Sequence, residues 1–221
     1  MKNLIMKDIR LVRFMNVLIL FMGLLFGYVG TTSIIVFKSK IIYGYGIFVM
    51  VYMFSMFSFQ QDEKSKSNII LNSFPVNRDD IIRARYTATM IYLVFAAITI
   101  FIVASISINI ISNSFIGSMP TLFDMVFIIG ICLLFFSMYL PFQYYYMGKA
   151  QIFNAIFYML LILSPNLLSK YAPKIETIRW VNAIVSMNFK SITFMLVGLG
   201  VILYLISLQV SKQIYKAKEF Y

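Results

Sequence analysis

"NRDDIIRARYTATMIYLVFAAITIFIVASISINIIS", Asn77 to Ser112, decides the fold. Most of its first ten residues are polar or charged; from Thr87 to Ser112 no charge occurs and most side chains are apolar. About 20 consecutive apolar residues in a helix cross the ~30 Å hydrocarbon core of a bilayer, so this run predicts a transmembrane helix. Asn77 is a good N-cap. Asp79 and Asp80 fall in the first turn, where carboxylates suit the helix dipole, and Asp79 stands four residues before Arg83, the spacing of a helical ion pair. A helix is therefore expected to start here and run on into the membrane.

Five further uncharged runs of spanning length flank it: Phe14 to Phe37, Ile41 to Gln61, Met125 to Gly148, Ala150 to Ser169 and Ser191 to Ser211. The expectation is an all-α integral membrane protein with six transmembrane helices. Of the 221 residues, 61% are hydrophobic and 12% charged, against about half and a quarter in soluble chains. Barrel strands would alternate over short segments, whereas these runs are continuously apolar, and helices satisfy their own backbone in lipid. The first run is too long, and its flanks too unlike a cleavage site, for a removed signal peptide.

An even number of spans puts both termini on one side, and the distribution of Lys and Arg chooses which. Cytoplasmic termini collect thirteen of the nineteen: Lys2, Lys7, Arg10, Arg13, Lys64, Lys66, Arg78, Arg83, Arg85, Lys149, Lys212, Lys216 and Lys218. Only six, Lys38, Lys40, Lys170, Lys174, Arg179 and Lys190, fall outside. The expected location is a plasma membrane, multi-pass, with cytoplasmic termini.

The net charge of +11 is scattered around membrane ends rather than gathered with exposed aromatics, which reads as topology and anionic-lipid contact and not as nucleic-acid binding. Cys132 lies alone in the fourth run, so neither a disulfide framework nor a thiolate metal site is expected. The absence of histidine removes the HExxH metalloproteases, the His-based triad and common zinc sets, and no GxxxxGK[ST] loop occurs. If the protein moves something with ATP, another chain hydrolyses it. The chain itself is expected to have no catalytic site and to bind no cofactor, ATP and Mg belonging to a partner.

Before the first run, residues 1–13 place Leu4, Ile5, Ile9, Leu11 and Val12 on one helical face and Lys2, Lys7, Arg10 and Arg13 on the other, with Asp8 alone misplaced; this predicts an interfacial amphipathic helix. The six-helix domain is expected over 14–213, with a short tail at 214–221. Between the second and third runs, "QQDEKSKS" gives way to the apolar "NIILNSF", broken at Pro75 before the restart at Asn77. Ile69, Ile70, Leu71 and Phe74 thus form an apolar patch rimmed by charge, which marks a protein interface or interfacial lipid contact. Between the fifth and sixth runs, Ile175, Ile178, Val181, Ile184 and Val185 recur at helical spacing beside Trp180, predicting a short helix in the outer interface. Gly23 and Gly27 form a GxxxG, and Gly198 and Gly200 lie close together, small residues that let helices approach. Pro141 and Pro165 are expected to kink or end helices. Asn16, Asn109, Gln143, Asn154 and Asn166 read as interhelical glue, and no carboxylate lies at mid-depth to serve an ion-coupled pump.

The stretch Asp62 to Tyr86 resembles, in order, the segment that ABC-2 type transporter permeases carry after their second span. Asp62, Glu63 and Lys64 match the acidic-basic start, Ile70 and Leu71 the leucine-rich part, and Phe74, Pro75, Val76, Asn77 and Arg78 the "LPVSR" type turn. Ile81, Ile82, Arg85 and Tyr86 match the "I-V-x-x-(K/R)-Y" beginning of the third span. In "LPFQYYYMGKAQ", Pro141, Tyr144, Tyr145 and Gly148 are similar to the "P-x-x-Y-(aromatic)-x-G" signature at the inner end of span four. Phe74 and Asn77 stand where Leu and Ser are frequent, and Asn68 where an aromatic is. In length and Ile/Lys/Asn/Phe-rich style the chain is similar to permeases of staphylococcal phenol-soluble modulin exporters.

The resemblance implies an ABC-2 (type V exporter-like) permease fold in which residues 61–86 form a coupling loop. Asp62, Glu63, Lys64, Ile69, Ile70, Leu71, Phe74, Pro75 and Arg78 would then form a handle in a groove of a cytoplasmic ATP-binding subunit. It further implies a second permease, identical or paralogous, and amphipathic peptide cargo or related antimicrobial and lipid-like cargo. Two other classes stand beside it. An intramembrane enzyme lacks a nucleophile and base within reach; a non-transporting immunity or scaffold protein would need no ATPase.

Overall fold

The computed structural model describes residues 2–11, 13–32, 36–65, 77–111, 119–146, 154, 155, 159 and 188–217. Six helices cover nearly all of them: α1 (Lys2–Leu11), α2 (Arg13–Thr32), α3 (Val36–Lys64), α4 (Arg78–Ile111), α5 (Leu122–Tyr145) and α6 (Phe189–Lys216). No strand occurs among the described residues. The protein is all-α, and four of these helices are long and apolar enough to cross a bilayer: Ser39–Lys64 of α3, Arg78–Asn109 of α4, α5 and α6. The apolar part of α2, Asn16–Thr32, is shorter. The run expected over Ala150 to Ser169 lies outside the described residues except at Asn154, Ala155 and Met159, as does the outer interfacial segment up to residue 187.

Helix ends follow from local chemistry. α4 starts at Arg78 with Asp79 and Asp80 in its first turn, as the capping pattern requires. At 34 residues it is about 51 Å long at ~1.5 Å per residue, well beyond the ~30 Å of hydrocarbon. Part of it must therefore stand outside the apolar layer. α5 opens with a reciprocal capping box: Asp124 N donates to Thr121 Oγ1 at 3.2 Å, and Thr121 N donates to Asp124 Oδ2 at 3.0 Å. The same carboxylate is held 2.8 Å from Lys40 Nζ of α3. Nearby, Lys40 lies over the Phe189 ring of α6 at 5.7 Å, and Lys190 over Phe123 at 5.2 Å. Three helix ends are thus tied together. At the opposite end Pro141 sits inside α5, where its ring nitrogen donates nothing and the carbonyl one turn back loses its helical partner.

Packing divides into α2 against α3 and α4, and α5 along α6, with α4 reaching both groups. Lipid gives helices no hydrophobic reason to associate, so close van der Waals fit and small residues must do it. Gly23 and Gly27 meet that need: a Cβ at Gly23 would lie 3.2 Å from Thr99 Cγ2, and one at Gly27 only 2.6 Å from Val103 Cγ1, both on α4. Gly200 permits α6 the same approach to α5, with Leu133 Cβ at 3.1 Å and Gly130 O at 3.2 Å from a Cβ there. Gly198, by contrast, has nothing within 4 Å. Aromatic side chains fill the remaining core, including Phe54 stacked on Tyr92 at 3.5 Å and Phe48 edge-on to Phe135 at 4.7 Å.

Leu substitution separates the two kinds of glycine. Gly27→Leu forces α2 and α4 apart and is expected to cost about 1–3 kcal/mol, read as a fall in the unfolding midpoint of the detergent-purified protein. Gly198→Leu should leave that midpoint unchanged.

Candidate functional site

Arg85 is the third residue to follow Ile82 on the α4 face that turns inward, and its side chain is almost wholly buried. A guanidinium cannot shed its proton, so burial demands counter-charges. Two arrive from different elements. Asp62, in the last turn of α3, accepts from one terminal nitrogen, and Asp8 of α1 lies 3.3 Å from Nε. Ser58, one turn before Asp62, accepts from the other terminal nitrogen, and the Phe59 ring lies 4.8 Å from the guanidinium carbon. Lys7 closes the group, 3.0 Å from Asp62 Oδ1 and 3.5 Å from Asp8 Oδ1. Two acids and two bases give a cluster of zero formal charge.

This explains the misplaced carboxylate of α1. Asp8 breaks the amphipathic pattern because its partner is a buried cation on α4, while Ile5 and Ile9 pack against the same core. Burial raises the Asp8 carboxyl above its ordinary value of 3.8, outweighing the pull of Arg85 and Lys7 in the other direction. A carboxyl with a raised value in the folded state favours folding most below the ordinary value, and that contribution fades as pH rises through the raised one.

A second set of bonds joins the same part of α4 to α6. The Tyr86 hydroxyl lies 2.7 Å from both Ser207 Oγ and Ser211 Oγ, and the Tyr204 hydroxyl donates to the Tyr86 carbonyl at 2.9 Å. At the start of α4, Arg78 donates to the Lys216 carbonyl at 3.1 Å, and Lys216 Nζ is 2.9 Å from Asp79. The pairing expected between Asp79 and Arg83 is not the one formed: Arg83 faces Asp80 at 3.9 Å. Lys216, delivered by the last turn of α6, reaches Asp79 first and makes a tertiary tie out of a residue expected to serve its own helix.

The residues named from the sequence fall into three groups. Asp62 is buried in the charge cluster, Glu63 and Lys64 follow it at the end of α3 with Lys64 exposed, and Arg78 meets α6. Tyr144 is buried, its ring 5.2 Å from Phe59 and 5.8 Å from Tyr215, close enough to Arg85 for the charge to be felt. The Pro141–Tyr144 stretch and the Asp62–Tyr86 stretch therefore meet around one guanidinium. Tyr145 is exposed beside Tyr146, 5.0 Å away ring to ring. Ile69, Ile70, Leu71, Phe74, Pro75 and Gly148 lie outside the described residues. Sequence reasoning passed over Lys7 and Asp8 as site residues, although the pattern break at Asp8 was the signal.

The cluster offers no nucleophile and base for chemistry. Among the described residues no group of three His, Cys, Asp or Glu could hold a metal. What it can do is mechanical: α1, the end of α3 and the start of α4 are joined so that none moves alone.

Arg85→Met strands two buried carboxylates with only Lys7 between them and should cost about 3–5 kcal/mol, seen as loss of monodisperse protein on size exclusion. Asp8→Asn, a neutral mimic of the protonated acid, should unfold at or above the wild-type midpoint at neutral pH, and the two midpoints should converge as pH is lowered.

The profile of a family described as "ABC-2 family transporter protein" matches residues 3–216. No curated protein and no solved structure matches the chain. The matched stretch runs from α1 to the last residue of α6 and takes in the whole charge cluster and both α6 ties. Extending as it does over nearly all 221 residues, it settles the kinship: the chain belongs to the ABC-2 transporter family and is a multi-pass membrane component of such a transporter.

Proposed function

We propose that this chain is the permease of an ATP-driven exporter and that residues 61–86 are the lever through which the ATP-binding subunit moves it. ABC-2 membership makes the chain a transport permease subunit, non-catalytic in itself, that works with an ATP-binding subunit. The finer reading rests on one observation. Both ends of the 61–86 stretch are gripped, by Asp62 and Arg85 in the same four-charge cluster with α1, and by Arg78, Asp79 and Tyr86 against α6. A push on the middle of the stretch therefore reaches α1, α3, α4 and α6 at once. A packed, bistable set of contacts turns such a push into a rigid-body shift.

In this reading the Arg85 end faces the cytoplasm, as the Lys and Arg distribution favours, and Ile69, Ile70, Leu71 and Phe74 seat the lever in the ATP-binding subunit. Closure of two such subunits on ATP draws two permeases' levers together and opens a path between them. The Phe-, Met-, Leu- and Tyr-rich composition suits amphipathic or lipid-like cargo better than ions, and the resemblance to phenol-soluble modulin exporters implies amphipathic peptides. ATP and Mg stay on the partner.

Tagged wild type and a Leu71→Asp, Phe74→Asp variant, extracted gently and pulled down side by side, test this. An ATP-binding protein should accompany the wild type with ATPase activity and be lost from the variant. Its absence from both samples would instead favour a non-transporting immunity or scaffold protein, and its retention by the variant would remove the lever role.

A further inference from the structure

Away from the charge cluster, a second polar group is buried between α3 and α5. Asn154 Oδ1 accepts from the Tyr139 hydroxyl at 3.0 Å and from Gln143 Nε2, and the Tyr52 hydroxyl lies 3.4 Å from the Asn154 carbonyl. The Tyr139 hydroxyl lies among Tyr52, Ser55 and Gln143, and the Tyr52 and Tyr139 rings meet edge to face at 5.3 Å. Gln143 is 0% and Asn154 3% exposed, yet, like the nearby Ser55 Oγ, Gln143 Oε1 and Asn154 Nδ2 have no hydrogen-bond partner among the described residues. Of the two amide atoms, one is an acceptor and the other a donor. Each stranded in an apolar surrounding is costly, and in lipid no solvent relieves it.

The two unused amide atoms belong to side chains already bonded to each other, so the unused acceptor and donor are neighbours. A ligand that satisfies both must donate and accept within the reach of one small group. A secondary amide does this with its N–H and C=O, whereas an ester of the same shape offers no donor and an ammonium no acceptor. The Tyr52 and Tyr139 rings supply apolar walls for the carbon on either side. Gln143 lies two residues from the inner end of α5 and just past Pro141, where the helix has lost a hydrogen bond and separates most easily from α3.

We propose that Gln143 and Asn154, framed by Tyr52, Ser55 and Tyr139, form a binding site for a secondary amide of the kind that makes up a peptide backbone. The site rests on the reading of the chain as a peptide exporter and gives it a chemical basis: an apolar wall with one donor and one acceptor holds a peptide unit whatever its side chains. It is shut in this conformation, and an amide enters as α5 moves away from α3 beyond Pro141.

The test is photolabelling of the detergent-purified full chain with two diazirine-bearing probes of equal chain length, an N-alkyl amide and the matching alkyl ester, mapped by mass spectrometry. Labelling of the Tyr52 and Tyr139 peptides should favour the amide by about tenfold or more, because a site built around a donor–acceptor pair rejects the analogue that lacks the donor. Gln143→Leu and Asn154→Leu, each tested alone, should remove that preference, and Ser55→Ala serves should either fail to fold. Equal labelling by both probes, or a preference unchanged in the variants, would overturn the proposal and leave the two atoms to a trapped water. The labelling needs no ATPase, so amide selectivity without peptide export would keep this site and remove the exporter reading. Undiminished export by variants without amide selectivity would do the reverse.

Discussion

An arginine cannot be neutralised, and Arg85 is buried. From that constraint the arrangement of one whole end of the molecule follows. The guanidinium requires carboxylates from outside its own helix, so α3 must deliver Asp62 and α1 must deliver Asp8. Two carboxylates on one cation then require a second cation, which α1 provides one residue earlier in Lys7. Replacing such a group by apolar side chains often leaves stability unchanged, whereas removing one member does not. Its value is therefore in fixing which elements travel together. A short amphipathic helix that could float on the lipid surface is instead bolted to the two helices flanking the polar loop.

Much of the fold was legible because membrane helices announce themselves by length and continuous apolarity. The start of α4 at Arg78 and the all-α class follow from capping chemistry and the bilayer's thickness, whereas α3 runs on through Asp62 to Lys64, residues expected in the loop after the second run. Asn16 also behaves as expected of an intramembrane amide, accepting from the Tyr92 hydroxyl at 2.6 Å while its own amide lies 3.3 Å from the Ile9 carbonyl. What sequence could not supply was pairing across elements. Asp79 was matched to Arg83 by spacing, but spacing knows nothing of Lys216, which lies 137 residues away. Likewise the Asp62–Tyr86 and Pro141–Tyr144 stretches were recognisable separately, and only packing brings Tyr144 to Phe59 and Arg85.

The two polar centres differ in a way that bears on their roles. In the charge cluster each of Lys7, Asp8, Asp62 and Arg85 faces opposite charge, so the group is complete and resists change. In the amide cluster Gln143 Oε1, Asn154 Nδ2 and Ser55 Oγ are unused among the described residues. Satisfied polar networks rigidify, and unsatisfied ones invite a partner. The proposed lever needs the first kind, and the proposed amide site the second.

α5 has the makings of a cantilever. At one end its cap is locked to Thr121 and its Asp124 carboxylate to Lys40, so that root is clamped. Towards the other end Pro141 removes one rung of the hydrogen-bond ladder, which lowers the stiffness of the last turns. Bending under load then concentrates in the turns after Pro141, where Gln143 and Tyr144 stand, while the root stays still. A load reaching those turns is thereby spent on deflecting a few residues instead of tilting the whole helix.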